Sequence, residues 1–194
     1  VELDPKVAQV AKQFFHVKET PKHKIHFSDG RQFLRLNKTR RYDAILMDAY
    51  TSNQFGTHIP FHLATKEFFR LAAEDLTEEG VLVFNVIGTY DDWRSDIVGS
   101  MYQTLKSVFP NVYHFQASDT RNIVMLAVKS KEPLTSTTLK NKVAALRAAR
   151  PKLPKFFGPR VARIRAQAPK SAANAGVLTD DFAPPGGLLK SKER

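Results

Sequence analysis

Through residue 130 the chain alternates short apolar, β-rich runs with stretches of helical spacing, and acids mark the ends of the early runs. Residues 1–3, 25–27 and 44–47 read as strands; Glu2 and Asp4 go with the first, Asp29 follows the second and Asp48 ends the third. Between them, residues 6–15 set Val7, Val10, Ala11, Phe14 and Phe15 at helical spacing, residues 31–36 begin another helix, and residues 61–76 carry Leu63, Ala64, Phe68, Leu71 and Ala72 on one helical face. "TEEG" at 77–80 predicts a turn, 81–87 a strand, 92–108 a helix, and 112–115 with 123–128 a closing antiparallel pair. This alternation calls for an α/β sheet covered on both faces, with residues 44–47 as a buried central strand. Such sheets bind ligands beyond the carboxyl ends of their strands. Glu2, Asp29 and Asp48, with Asn85 late in its own strand, are therefore expected to share one edge.

The bulk numbers fit a globular core: 194 residues, 42% hydrophobic and 25% charged. Cysteine is absent, which excludes disulfides and thiolate metal sites and suits a reducing, cytoplasmic setting. Apolar runs such as 81–84 are far too short to span a bilayer, so no transmembrane segment is expected in this chain. No secretory leader pattern opens it, and a start at Val1 in mid-pattern reads as a piece of something longer.

Net charge is +11, and its distribution is uneven. Residues 1–130 hold 16 Lys/Arg against 15 Asp/Glu, whereas residues 131–194 hold 14 against 4. Three segments follow: an α/β domain over 1–130, a basic helical or irregular extension over 131–176 with a helix near 134–150, and a terminal segment over 177–194 containing "LTDDFAP". The basic part reads either as a solvated extension or as the seat of an anionic partner, whether nucleic acid, an anionic membrane surface or an acidic protein.

The acids admit specific chemistry. Asp4 reads as the cap of a helix opening at Pro5. Glu2 reads as a ribose ligand, because an ionised carboxylate can accept from both hydroxyls, or else as a second cap of that helix. Asp29-Gly30 either receives an exocyclic adenine amine or forms a plain turn before a helix. Asp180 and Asp181 either fold back to the sheet edge and supply negative charge there or form an Asx-type turn. His23, His26, His58 and His62 form no zinc or nucleophile-triad pattern and read as surface or interface residues, so no metal site is expected. No glycine-rich phosphate loop is present.

"VELDP", "SDGRQFL", "RYDAILMDAY", "IPFHLATKEFFRLAAEDLTEEGVLVFNV" and "LTDDFAP" together resemble the spermidine synthase (polyamine aminopropyltransferase) family, in its bacterial spermidine synthase-like branch, some members of which are fused to membrane transporter-like segments. The resemblance implies a Rossmann-like class I S-adenosylmethionine-methyltransferase fold with a mostly parallel sheet. The first strand and glycine-rich turn of that fold are expected ahead of Val1. Without that strand, two sheet edges lose their partner and nucleoside binding by this chain alone is expected to be weak.

The implied reaction moves an aminopropyl group from decarboxylated S-adenosylmethionine, a co-substrate and not a tightly bound cofactor, to putrescine or a similar amine, releasing methylthioadenosine. By that likeness Glu2 holds the ribose, Asp29 and Gly30 meet the adenine, and Asp48 accepts a proton from the attacking amine. An ammonium has no free lone pair, so it must lose a proton before it attacks. A carboxylate also draws in the cationic acceptor.

The chain departs from the family on the acceptor side. Thr51 stands where putrescine users carry a second acid, Asn85 stands where glutamine is usual, and "ASDTRN" lacks the aromatic expected before the final strand pair. Candidate acceptor-binding residues are Tyr50, Thr51, Asn85, Asp180 and Asp181, with residues 49–58 as a wall or lid. Alternatives are S-adenosylmethionine-dependent methyl transfer through the same Glu2 and Asp29 contacts, or a non-catalytic domain carrying a nucleic-acid- or membrane-binding tail. A homodimer is compatible with each.

Overall fold

The computed structural model describes residues 1–54, 56–91, 95–117 and 121–181. The chain forms two bodies, Val1–Arg41 and Tyr42–Arg194, each described by itself.

The first body holds α1 (Pro5–Phe14) and α2 (Gly30–Leu36). Asp4 caps α1 as expected, its side chain accepting the Lys6 N–H at 2.8 Å, with Pro5 at the first helical position. The strands expected at 1–3 and 25–27 shrink to one parallel bridge, Glu2 with Phe27, held by Glu2 N–H to His26 O (2.9 Å) and Ser28 N–H to Glu2 O (3.2 Å). Leu3 and Phe27 remain 71% and 55% exposed, so this pair has no buried apolar face to extend it, and so short a ladder is marginal.

The second body contains β1 (Tyr42–Met47), β2 (Thr51–Asn53), β3 (Gly56–His58), α3 (Lys66–Asp75), β4 (Leu76–Ile87), α4 (Ser95–Lys106), β5 (Asn111–Gln116), β6 (Asn122–Val128), α5 (Ser136–Ala149) and α6 (Phe157–Val161). Its main sheet runs β1-β4-β6-β5. The β1–β4 pair is parallel and the β4–β6 and β5–β6 pairs are antiparallel, so this sheet is less parallel than expected. The expected closing pair is present as β5 and β6.

Several expectations are corrected. The run 44–47 lies in β1, at the edge of this sheet and not at its centre, and Leu46 is 72% exposed. An apolar run has the same appearance at either position. The helix expected over 61–76 divides into a 3-10 turn at Phe61–Leu63 and α3, because the Thr65 side chain accepts the Phe68 N–H (3.3 Å) and starts a new helix. "TEEG" does not end a helix with a turn. It bulges within β4: Tyr42 pairs with Leu76 and Ala44 with Val81, leaving residues 77–80 opposite Asp43 alone. Gly80 is needed there, since a Cβ would lie 2.8 Å from Thr77 O.

Strict alternation in β4 buries Leu82, Phe84 and Val86, which pair across the ladder with the buried Ala127, Met125 and Ile123 of β6. Helix α3 brings Phe68, Phe69 and Ala72 to this core, and α4 brings Val98, Met101 and Leu105. The Phe69 ring meets Phe84 edge-on at 5.8 Å. Because α3 runs directly into β4 at the edge where β1 begins, its own start lies toward the opposite edge, where β1 ends.

Candidate active site

Three adjacent strands carry one polar chain to the carboxyl end of β1. Asp48 follows β1, and the parallel register pairing Met47 with Phe84 sets Asn85 beside it. Asn85 Nδ2 donates to Asp48 Oδ1 at 2.8 Å. Asn122, which opens β6 opposite Ile87, donates from Nδ2 to Asn85 Oδ1 at 3.1 Å. Tyr50 closes the group, its hydroxyl donating to the Asn85 main-chain oxygen at 2.5 Å. Burial, and secondarily the negative charge of Asp48, push the Tyr50 phenol up to about 12, so at neutral pH it is a protonated donor. Asp48 itself is exposed.

Thr51 opens a two-stranded hairpin, pairing with His58, so the segment expected as a wall or lid is partly built from β2 and β3. Phe55 falls outside the described residues.

In the first body the bridge brings Glu2 and Asp29 into one neighbourhood. Glu2 Oε1 accepts the Asp4 N–H at 2.9 Å. Asp29 caps α2, with Oδ1 accepting from Arg31 N–H (2.9 Å) and Gln32 N–H (3.0 Å), and Gly30 is the first helical residue. The turn-and-cap geometry considered for Asp29 is therefore present.

Asp180 folds back, as one of its two readings required. Its Oδ1 accepts from the Thr65 hydroxyl (2.8 Å), its N–H donates to Glu67 Oε2 (3.0 Å), and Leu178 O accepts from Lys66 N–H (2.8 Å). Residues 178–180 thus lie at the start of α3. Asp181 is exposed beside it, and the rest of "LTDDFAP" from Phe182 lies outside the described residues.

Two residues of this region escape sequence reasoning. Asn122 is the last letter of "ASDTRN", a string notable only for its missing aromatic; its position opposite the end of β4 is the signal that could have found it. His114, unlike a surface histidine, is 1% exposed. Its Nε2 faces Gln167 O at 2.7 Å, an acceptor only, so that nitrogen carries the proton and Nδ1 accepts from Tyr90 OH at 2.7 Å. Tyr90 lies just beyond β4, so the loop leaving the Asp48 region is tied to β5. Among the described residues, no group of three or more His, Asp or Glu side chains is placed to hold a metal, and no helix is long and apolar enough to cross a membrane.

The fold is similar to the class I S-adenosylmethionine-methyltransferase fold. Human Methyltransferase-like protein 13 in complex with SAH has this fold and is similar at a TM-score of 0.67, 24% identity, over 79% of this chain and 70% of that one. A probable spermidine synthase from Corynebacterium glutamicum is similar at a TM-score of 0.56, 22% identity, over 75% of this chain and 52% of its own.

Within that class, the chain belongs to the spermine/spermidine synthase family, whose domain matches residues 1–139. The polyamine aminopropyltransferase of Vibrio vulnificus is 30% identical over 194 residues, 98% of this chain and 60% of that protein. The probable polyamine aminopropyl transferase of Bifidobacterium longum is 32% identical over 111 residues, 57% of this chain and 23% of its own length. The chain therefore spans 60% or less of the length of these relatives.

Proposed function

We propose that the chain is the catalytic part of an aminopropyltransferase that uses decarboxylated S-adenosylmethionine and an amine acceptor. The observation that carries this reading is Asp48: an exposed carboxylate at a strand end, with one oxygen held by the Asn85 amide. The amine nitrogen attacks the aminopropyl carbon attached to the sulfonium. The C–N bond forms as the C–S bond breaks, sulfur keeps the bonding pair and leaves as the thioether of methylthioadenosine, and the amine's proton passes to Asp48. Glu2 takes the ribose hydroxyls, and Asp29 with Gly30 takes the adenine. The family match and the positions of Glu2 in the bridge with Phe27 and of Asp29 just after it support those assignments.

On the acceptor side, Tyr50, Thr51 and Asn85 are neutral donors and acceptors around a single carboxylate. Further negative charge for a polyamine comes from Asp180 and Asp181, on the strap that ends at the start of α3. The same proposal gives the basic extension an anionic partner. An open groove of about 690 Å³ there is lined by Leu146, Ala149, Arg150, Lys152, Leu153 and Pro154 among others.

The test supplies the full-length protein with decarboxylated or ordinary S-adenosylmethionine and putrescine or spermidine, with products read by mass spectrometry. Aminopropylated amine with methylthioadenosine is expected; methylated product without it overturns the reading. Asp48→Asn should lower kcat by roughly 10²- to 10⁴-fold, the range of a general base, with nucleoside affinity nearly unchanged. Equal losses in both would make Asp48 a residue of stability or positioning.

A further inference from the structure

Asn122 has no contact with any reacting atom in the proposed chemistry, yet it ends the hydrogen-bond chain that begins at Asp48. An ionised carboxylate only accepts, so Asn85 must turn its amide nitrogen toward Asp48. Its amide oxygen then points the other way and needs a donor. Asn122 Nδ2 is that donor, at 3.1 Å. The backbone registers make the meeting possible: Asn85 pairs with Val124 and Ile87 with Asn122, so Asn122 lies two residues along the same face of the neighbouring strand. A carboxamide has nearly the same shape in its two orientations, and only the groups around it decide which end is which. On one side of Asn85 stands the carboxylate, and on the other stands Asn122. The Asn85 main-chain oxygen is separately held by the Tyr50 hydroxyl, so the residue is fixed in place and only its amide polarity remains to be set.

We infer that Asn122 is a positioning residue for proton transfer to Asp48: by donating to Asn85 Oδ1 it locks the amide with its N–H on Asp48 Oδ1, leaving Oδ2 to take the amine's proton. This rests on the aminopropyl-transfer reading. Asp48 Oδ2 accepts no hydrogen bond from the described residues.

The decisive variant is Asn122→Asp, which keeps the shape but only accepts. Asn85 then stands between two carboxylates that both only accept, so its N–H is no longer committed to Asp48. In the full-length protein kcat should fall roughly ten- to hundredfold, the loss of one charge-assisted hydrogen bond, with KM for the nucleoside and the melting temperature nearly unchanged. Asn122→Ala should cost less, roughly three- to tenfold, because water can replace the donor. In an Asn85→Ala background, Asn122→Asp should add less than about twofold, since the intermediary is gone.

An independent readout is the Asn85 side-chain amide resonance in ¹⁵N-edited spectra, identified by its disappearance in Asn85→Ala. It should move in Asn122→Asp. An unmoved resonance, or an undiminished kcat effect in the Asn85→Ala background, overturns the inference. If Asn122→Asp fails to fold, Asn122→Ala carries the same comparisons. A parent protein that makes no aminopropylated product, while the resonance still moves, would sink the reaction and leave the amide lock standing.

Discussion

Two parts of the basic extension meet the rest of the protein in opposite ways. Helix α5 buries no residue, and its long-range hydrogen bonding stays within the extension, as in Arg147 to Lys155 O (3.1 Å). Residues 165–180 are instead fastened to β5, α4 and α3 in turn. Arg165 exchanges both main-chain hydrogen bonds with His114 (3.0 and 2.9 Å), Gln103 Nε2 donates to Ala172 O (2.7 Å), and Leu178 N–H donates to the Thr104 hydroxyl (2.9 Å). Thr65 and Thr104 are buried polar side chains, and the strap helps satisfy their hydroxyls. The difference shows that a tail is structural when the domain offers it buried donors and acceptors, whatever its charge.

Gly99 gives the largest test of that contrast. A Cβ at this position of α4 would lie 2.5 Å from Ser171 O and 2.6 Å from Ser171 C, both main-chain atoms. Replacing an exposed helical glycine with alanine ordinarily gains about 1 kcal/mol. Here Gly99→Ala should instead destabilise by roughly 1–3 kcal/mol, through the clash with the strap. That corresponds to a fall in melting temperature of about 2–4 °C per kcal/mol at this size, readable by calorimetry. An unchanged or raised melting temperature would mean that the strap yields, erasing the contrast with α5.

His114 gives a smaller, pH-dependent effect. Burial above all holds its imidazole below the ordinary histidine range, with the Arg165 charge adding to this and the Gln167 carbonyl opposing it. A base whose folded pKa is depressed binds fewer protons folded than unfolded. Its contribution to stability is therefore complete above about pH 6.5 and is lost as pH falls through the folded value. His114→Gln should cost about 1–3 kcal/mol near pH 8, by leaving the Tyr90 hydroxyl or the Gln167 carbonyl without its partner. The variant should also lose part of the decline in stability below pH 6.5 seen in the parent. Parallel stability–pH curves for the two proteins would show that His114 does not titrate in the folded state as described.

How much of this was legible beforehand follows from the range of each interaction. Helices α1, α2, α4 and α5 and the β5–β6 pair show local periodicity, and a local pattern suffices to find them. Asp48 beside Asn85 could be anticipated because one ends and the other lies late in an apolar strand. The edge position of β1 leaves no mark in its own apolar run, which looks the same at an edge or at a centre. Asn122 was hidden because a polar residue opening a strand resembles the turn before it. The strap was hidden for a different reason: Leu178 and Asp180 bond to Thr104 and Thr65, which lie 74 and 115 positions away. No local pattern records such a match.

Helix α5 predicts the smallest effect on stability and the clearest effect on binding. Lys140, Lys142 and Lys152 are exposed, and none of the hydrogen bonds described above depends on them. Changing all three to Gln should move stability by no more than about 0.5 kcal/mol per site, the usual range for surface substitutions. If α5 and the groove beside it receive an anionic partner, binding to duplex DNA, used as a polyanionic probe, should weaken in the variant. The slope of log K against log salt should also become shallower, by up to about 0.9 for each phosphate that is no longer neutralised. The triple substitution is preferable to deleting the extension, because removal of residues 131–176 would also remove Arg165, Gln167 and Ala172 from their partners on β5 and α4. A protein so truncated could lose DNA binding simply by unfolding. An unchanged salt slope in the folded triple variant would assign the positive charge of α5 to solvation alone, and the two parts of the extension would then differ only in whether they are held.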